Sequence, residues 1–293
     1  MKEQILVPVD FSEQSVIALE QACSIARKAD LDITLLYVIH RNNPQFTDLK
    51  GIVHKEIAKE EGIEKVILEK LKNIVNEFSE KFGINFDTII EKGHPYQIIL
   101  DNAKKMKPRF LAMGANSSPK EGRRNMGSTT LKVLRETDLP IFTINGKQHT
   151  NGCRNIILPL DATKETRQKV GKAIEIAKYY DATIKIVSVL TTTDRFIINK
   201  VKSQVNQVKL FIENKEVKCE TSVIEKNKDS LAKSIVRYAV ENNGDLIIIM
   251  TQPEDGFINL FVNTLSQDII NISEIPILSI APKRIGEVII GGM

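Results

Sequence analysis

The strongest constraint on this chain is that it repeats itself. Gln4-Ile5-Leu6-Val7-Pro8-Val9-Asp10 returns as Asn155-Ile156-Ile157-Leu158-Pro159-Leu160-Asp161, so Pro8 and Asp10 correspond to Pro159 and Asp161 at an offset of 159 − 8 = 151 residues. Glu91-Lys92 returns as Glu225-Lys226 at an offset of 225 − 91 = 134, which makes the second half 151 − 134 = 17 residues shorter between its first and third strands. A chain of 293 residues that writes one pattern twice reads as two domains of ordinary size, each able to bury a core. The polar, glycine-bearing stretch 145–152 reads as the linker, giving domains 1–147 and 152–293.

Within each copy, short apolar runs alternate with segments of helical period. In the first half, residues 5–10 form a strand ending in an acid, and 12–29 place Val16, Leu19, Ala22, Cys23 and Ala26 on one helical face. Residues 33–39 are a second strand, 41–51 a loop, 52–82 a largely helical stretch, and 85–90 a third strand. Gly93-His94-Pro95 is a turn before a helix over 96–105, and 110–113 and 140–144 are the fourth and fifth strands. The second half reads as strands over 155–161, 183–189, 219–224, 245–250 and 276–280, with a helix over 166–180. Such alternation predicts an α/β fold with a parallel sheet covered on both faces. The tail 281–293 lies outside the repeat; Val288-Ile289-Ile290 reads either as an added edge strand or as a loose terminus.

The chemistry gathers in residues 110–130. Phe110-Leu111-Ala112-Met113 is a buried strand that breaks at Gly114 into a small-residue loop, and Gly127-Ser128-Thr129 opens a helix carrying Leu131, Val133 and Leu134. The first N–H groups of a helix lack intrahelical partners and the helix dipole favours negative charge there, so strand, loop and helix start together form an anion site. Gly127 is expected to supply unusual backbone angles and close approach, and Ser128 and Thr129 hydroxyl donors. Lys120, Arg123 and Arg124 against Glu121 make the loop net positive, which suits a polyphosphate. The competing reading is an ordinary connection with Ser or Thr as N-cap.

These residues resemble the universal stress protein family in its tandem two-domain form. The family pattern, a strand followed by Gly-x2-Gly-x9-Gly-Ser/Thr, is met by Gly114, Ser117 in place of the second glycine, and Gly127-Ser128. Val7-Pro8-Val9-Asp10-Phe11-Ser12, Leu35-Leu36-Tyr37-Val38 and Gly93-His94-Pro95 also look like the family. The resemblance implies two Rossmann-like domains, each a five-stranded parallel sheet of order 3-2-1-4-5 with helices on both faces. It implies ATP, with or without Mg2+, or another adenine nucleotide over the carboxyl ends of the strands, at the point where connections leave in opposite directions. Carried onto this sequence, the site comprises Pro8, Asp10, Val38, Met113, Gly114, Asn116, Ser117, Arg124, Gly127, Ser128 and Thr129, with no catalytic residue and no metal ligand. The resemblance further implies pairing of the two domains through their fifth strands, and leaves a homodimer open.

The second half departs from the pattern. Met250-Thr251-Gln252-Pro253-Glu254-Asp255-Gly256 stands at the first glycine, no Gly-Ser occurs near Asn263-Thr264, and 251–266 hold two acids and no base. Carboxylates repel a triphosphate, so this copy reads as having lost the site. Gly256-Phe257-Ile258-Asn259-Leu260-Phe261-Val262, five of seven apolar, reads as a packing segment. Asp161 reads equally as a helix cap.

Other classes are excluded more simply. A net charge of +4, from 41 basic and 37 acidic residues, is too balanced to argue for nucleic acid or an anionic membrane. No run of 18 apolar residues exists, and Met1-Lys2-Glu3-Gln4 enters a strand with no room for a signal peptide. Cys23, Cys153 and Cys219 are odd in number and far apart, as for free thiols in the cytoplasm, and the four histidines lack a metal-ligand spacing. Walker and nucleophile-elbow motifs are missing. The reading is an ATP-binding regulatory module of a stress response. The alternatives are a slow ATP hydrolase or phosphotransferase on the same site, and a protein-interaction scaffold that binds no nucleotide.

Overall fold

The computed structural model describes residues 2–40, 46–47, 53–54, 60–116, 126–146, 152–160, 166–226, 228–251 and 264–281. The chain divides into two compact units, Met1–Gly152 with Ser273–Pro276, and Cys153–Ile272 with Ile277–Met293.

The first unit runs β1 (Gln4–Pro8), α1 (Glu13–Ala29), β2 (Asp32–His40), β3 (Phe46–Thr47), β4 (Val53–His54), α2 (Glu60–Phe82), β5 (Phe86–Gly93), α3 (Pro95–Met106), β6 (Phe110–Gly114), α4 (Ser128–Glu136) and β7 (Ile141–Ile144). Its main sheet is wholly parallel in the order β5-β2-β1-β6-β7. Counting only these five strands, that is the expected order 3-2-1-4-5. The inner strands are apolar on both faces, as a sheet covered by helices on both sides requires: Ile5, Leu6, Val7, Phe110, Leu111 and Ala112 are all fully buried. Helix ends are fixed locally. Ser12 caps α1 by accepting from the Ser15 N–H, and Asp30 ends it in the left-handed region at φ 55°.

The second unit repeats this with β8 (Asn155–Pro159), α5 (Thr166–Tyr180), β9 (Thr183–Leu190), α6 (Arg195–Glu213), β10 (Cys219–Glu225), α7 (Leu231–Glu241), β11 (Leu246–Met250), α8 (Thr264–Ile272) and β12 (Ile277–Ile280). Its parallel order β10-β9-β8-β11-β12 is the same 3-2-1-4-5. The duplication extends to single hydrogen bonds. Thr130 Oγ1 donates to the Gly114 carbonyl at 3.0 Å, and Ser266 Oγ to the Met250 carbonyl at 2.6 Å. Both pairs are separated by 16 residues, and both stand at the offset 266 − 130 = 250 − 114 = 136.

Two sequence expectations change. Within 52–82 the described helix is Glu60–Phe82, and Val53–His54 is instead a strand that pairs antiparallel with Phe46–Thr47. The apolar period that specifies the helix begins later, with Ile67, Leu71 and Phe78 on its buried face. The helices α6, α7 and α8 go beyond the sequence reading: Ile and Val supply much of the buried face of α6, and β-branched residues favour neither helix nor its detection. Residues 256–262 and the tail segment 288–290 lie outside the described residues.

The three cysteines are free and buried, at 0%, 9% and 8% exposure for Cys23, Cys153 and Cys219. Burial pushes the Cys23 and Cys153 thiols far above the ordinary 9.0, and Cys219 up to about 12. Below pH 9 the thiols are protonated whether folded or unfolded. Above it the unfolded chain loses those protons while the folded chain keeps them, so stability falls as pH rises. Each thiol removes up to about 1.4 kcal/mol per pH unit past its unfolded value. Cys23→Ala is therefore expected to flatten the loss of urea midpoint between pH 8 and pH 10; an unchanged slope would count against a protonated Cys23.

Candidate functional site

The carboxyl ends of β1 and β6 lie side by side, and the chain leaves them toward α1 and α4. Between these exits is a cavity of ≈ 160 Å³. Of the sequence-predicted residues, Pro8, Asp10, Val38, Met113, Gly114, Asn116 and Thr129 line it. Gly127 and Ser128 are at the start of α4 but are not among its lining residues, and Ser117 and Arg124 lie outside the described residues, as do Lys120, Glu121 and Arg123.

The β1 side is a tight turn. The Val9 N–H donates to the Leu36 carbonyl at 2.9 Å, fixing the chain to β2 just past the end of β1. Asp10 is exposed, and its Oδ1 accepts from the Ser12 N–H at 3.0 Å and the Ser12 hydroxyl at 2.5 Å. Ser15 Oγ accepts from the Asp10 N–H and donates to the Ser12 carbonyl. Phe11 sits between these polar neighbours with φ 62°, a conformation bulky residues rarely adopt, and its side chain is 1% exposed. The ring stacks on Tyr37 at 4.9 Å, with the Lys70 ammonium 5.6 Å from its centroid. The inward turn of Phe11 leaves Asp10 and Ser12 facing the cavity. The Tyr37 phenol is pushed up to about 12, first by burial and then by the negative charge of Asp10.

The β6 side supplies donors. Ala115 N–H donates to the Ile144 carbonyl at 2.7 Å, and Gly127 N–H donates to the Ala115 carbonyl at 2.8 Å, bringing the start of α4 back to the end of β6. The earliest intrahelical bond of α4 runs from Leu131 N–H to the Gly127 carbonyl, so the N–H groups of Ser128, Thr129 and Thr130 precede the ladder. Ser and Thr do not cap this helix: Gly127 is the N-cap and has no side chain to cap it with. Thr129 remains half-exposed beside those donors.

Neither Gly114 nor Gly127 has a positive φ. Gly127 has φ −63° and ψ 149°, extended backbone open to any residue, and an added Cβ would meet only the Ala115 carbonyl at 3.5 Å and Asn116 Cα at 3.9 Å. At Gly114 a Cβ would sit 3.0 Å from the backbone carbon and Cβ of Gln14. Gly114 thus lets α1 approach β6, and Gln14 uses that position to bind Gly146, donating to its carbonyl at 3.2 Å and accepting from its N–H at 3.0 Å. Gly114→Ala is expected to destabilise the first domain by about 1–3 kcal/mol, the usual cost of overpacking. Urea denaturation measures this, and an unchanged midpoint would show that α1 shifts freely.

Sequence reasoning missed Val9, Ser12, Ser15, Leu36, Pro95, Ile99 and Thr130 as lining residues. The Ser–x–x–Ser pair beginning α1 and the proline opening α3 were the visible signals. Among the described lining residues Asp10 is the sole acid and none is basic. A larger hollow of ≈ 490 Å³ is lined by residues including Lys92, His94, Asp101, Lys104 and Glu136. Its charges oppose one another and it shares no lining residue with the crevice. No cluster of three metal-ligating side chains occurs among the described residues, and no helix there is long and apolar enough to cross a membrane.

In the second unit, Met250 takes the place of Gly114 and Thr264 that of Ser128. The intervening lengths are equal, 128 − 114 = 264 − 250 = 14. Lys169, 9% exposed, directs its ammonium to the Pro159 carbonyl at 2.6 Å, at the carboxyl end of β8.

Comparison with known proteins agrees with this duplicated architecture. A universal stress protein MJ0531 of Methanocaldococcus jannaschii is 26% identical over 144 residues, 48% of this chain and 81% of that protein. Universal stress protein YxiE of Bacillus subtilis is 27% identical over 150 residues, 49% of this chain and 99% of its own. The crystal structure of a universal stress protein from Archaeoglobus fulgidus superposes with a TM-score of 0.74 at 18% identity, covering 95% of this chain and 96% of that one. The model of the universal stress protein family matches twice, over residues 1–145 and 152–280. With each half matched separately, the chain belongs to the universal stress protein family in a tandem, two-domain form.

Proposed function

We propose that the first domain binds ATP and that the protein acts as a nucleotide-dependent regulatory module in a stress response. The observation that carries the reading is the pairing, across one cavity at the switch point, of the Asp10 carboxylate with the open N-terminus of α4. The two sides suit different parts of one ligand. A carboxylate accepts from ribose hydroxyls and repels phosphate, whereas the helix start donates to phosphate. The lining side chains of Pro8, Val38, Met113 and Ile99 supply apolar surface for a base. A hydrolase on this site lacks support. Among the described lining residues Asp10 is the one acid, and it already accepts two hydrogen bonds from Ser12, leaving no second described acid there to activate water.

Titration calorimetry of the intact chain with ATP, with and without Mg2+, is expected to give one site per chain. Asp10→Ala should weaken it by about 1–3 kcal/mol, the cost of losing a hydrogen bond to a charged group. Asp161→Ala in the second domain should leave affinity near wild type. Equal losses from the two variants would defeat the assignment, and so would two equivalent sites. Intramolecular pairing of the domains through their fifth strands belongs to the same proposal and is tested by interdomain cross-linking.

A further inference from the structure

The second domain carries an apolar surface that its counterpart lacks. α2 and α6 hold the same place in the two halves, each between the second and third strands of its sheet. The exposed positions of α2 are charged or amide-bearing, among them Glu64, Lys65, Glu69, Lys72 and Glu77; Leu68 at 40% is its one exposed large apolar side chain among the described residues. On α6, Phe196 is 77% exposed, Ile197 41%, Leu210 52% and Phe211 51%. Val201, Val205 and Ile212 form its buried side. At about 100° per residue, Phe196 and Leu210 fall opposite that side and Phe211 on the adjoining flank, whereas Ile197 borders the buried side. Three large apolar residues, Phe196, Leu210 and Phe211, exposed along the outer part of one helix are not the singly scattered kind that needs no explanation.

We propose that this face is a homodimer interface, occupied by α6 of a second copy of the chain laid antiparallel across it. The sequence of the helix is what singles out this occupant. The pairs Phe196/Phe211 and Ile197/Leu210 share one midpoint, between Ser203 and Gln204. A two-fold axis there places Phe196 of each copy against Leu210 and Phe211 of the other, so one operation covers both apolar ends of both helices. Lys200 comes level with Gln207 of the other copy rather than with a second lysine, and the small Ser203 lies at the crossing. A parallel arrangement would instead oppose Lys200 to Lys200. The three outward apolar side chains offer on the order of 350 Å² per copy, which with the polar rim reaches the lower range of specific interfaces and marks a weak, concentration-dependent dimer.

Sedimentation velocity of the intact chain, from micromolar to sub-millimolar concentration, is expected to show a reversible dimer. Phe196→Asp with Phe211→Asp should weaken it at least about 100-fold. Because both rings are exposed, the unfolding midpoint should not fall, and ATP affinity in the first domain should stay unchanged. Ser203→Cys should form a disulfide-linked dimer on mild oxidation, since two copies of this position meet beside the axis while the native thiols are buried. A chain that stays monomeric throughout would overturn the proposal. So would a dimer indifferent to the double substitution, or one that dissociates with it but gives no Ser203→Cys cross-link.

Discussion

Phe110→Ala is expected to remove about 3–5 kcal/mol from the stability of the first domain, the range for truncating a fully buried aromatic side chain. Phe110 opens β6, is 0% exposed, and meets Phe142 of β7 edge-on at 5.3 Å with the planes at 60°. In register it pairs with Ile5 of β1, itself fully buried. The ring therefore fills the layer next to the two strands whose carboxyl ends frame the site. Nothing nearby is free to collapse into the gap, because sheet neighbours on both sides are tied by parallel ladders. Part of the loss is transfer free energy and part is the cavity left behind. Urea unfolding followed by a first-domain probe would measure it, and a loss below about 1 kcal/mol would mean that the β6 layer repacks.

The same pair of strands shows why much of the fold was legible. Period-2 and period-3.6 patterns are written by burial, and burial here is extreme: β1, β6, β8 and β11 are apolar on both faces, so they stand out as unbroken runs. Their order followed from duplication and family pattern, which act over the whole chain. The candidate site was legible only in part. Asp10, Val38, Gly114 and Thr129 meet at one cavity because each stands at or just beyond a strand or helix end, positions that the pattern marks. The roles of individual atoms were not marked. A glycine in a phosphate motif reads as backbone freedom, whereas Gly114 is required by the approach of Gln14, a residue 100 positions earlier whose position only the packed helix reveals. Ser15 and Thr130 escaped because their hydroxyls act through backbone carbonyls of Ser12 and Gly114, contacts that no local spacing announces. The exposed face of α6 escaped for the converse reason: its apolar residues look like core until burial is known.

Phe11 supplies the second large effect, and one whose order is unusual. Phe11→Ala is expected to cost about 3–5 kcal/mol, since the ring is 1% exposed and stacked on Tyr37. Phe11→Gly removes the same ring and ordinarily would cost more, because glycine has the greater freedom to lose on folding. Here the backbone stands at φ 62°, where an L-residue bears about 1–2 kcal/mol of steric cost that glycine escapes. The glycine variant should therefore be as stable as the alanine variant or more so, by up to about 1.5 kcal/mol once its added unfolded-state freedom of about 0.5–1 kcal/mol is set against the relief. The consequence for the site differs from the consequence for stability. Asp10 and Ser12 face the cavity because the buried ring pins the residue between them, and in both variants that pin is gone. ATP affinity is thus expected to fall in both by a similar factor even where stability differs, with calorimetry reading the first and urea midpoints the second. A glycine variant at least 1 kcal/mol less stable than the alanine one would show that the left-handed turn carries no strain. Wild-type affinity in both would show that Asp10 is held by its bonds to Ser12 alone.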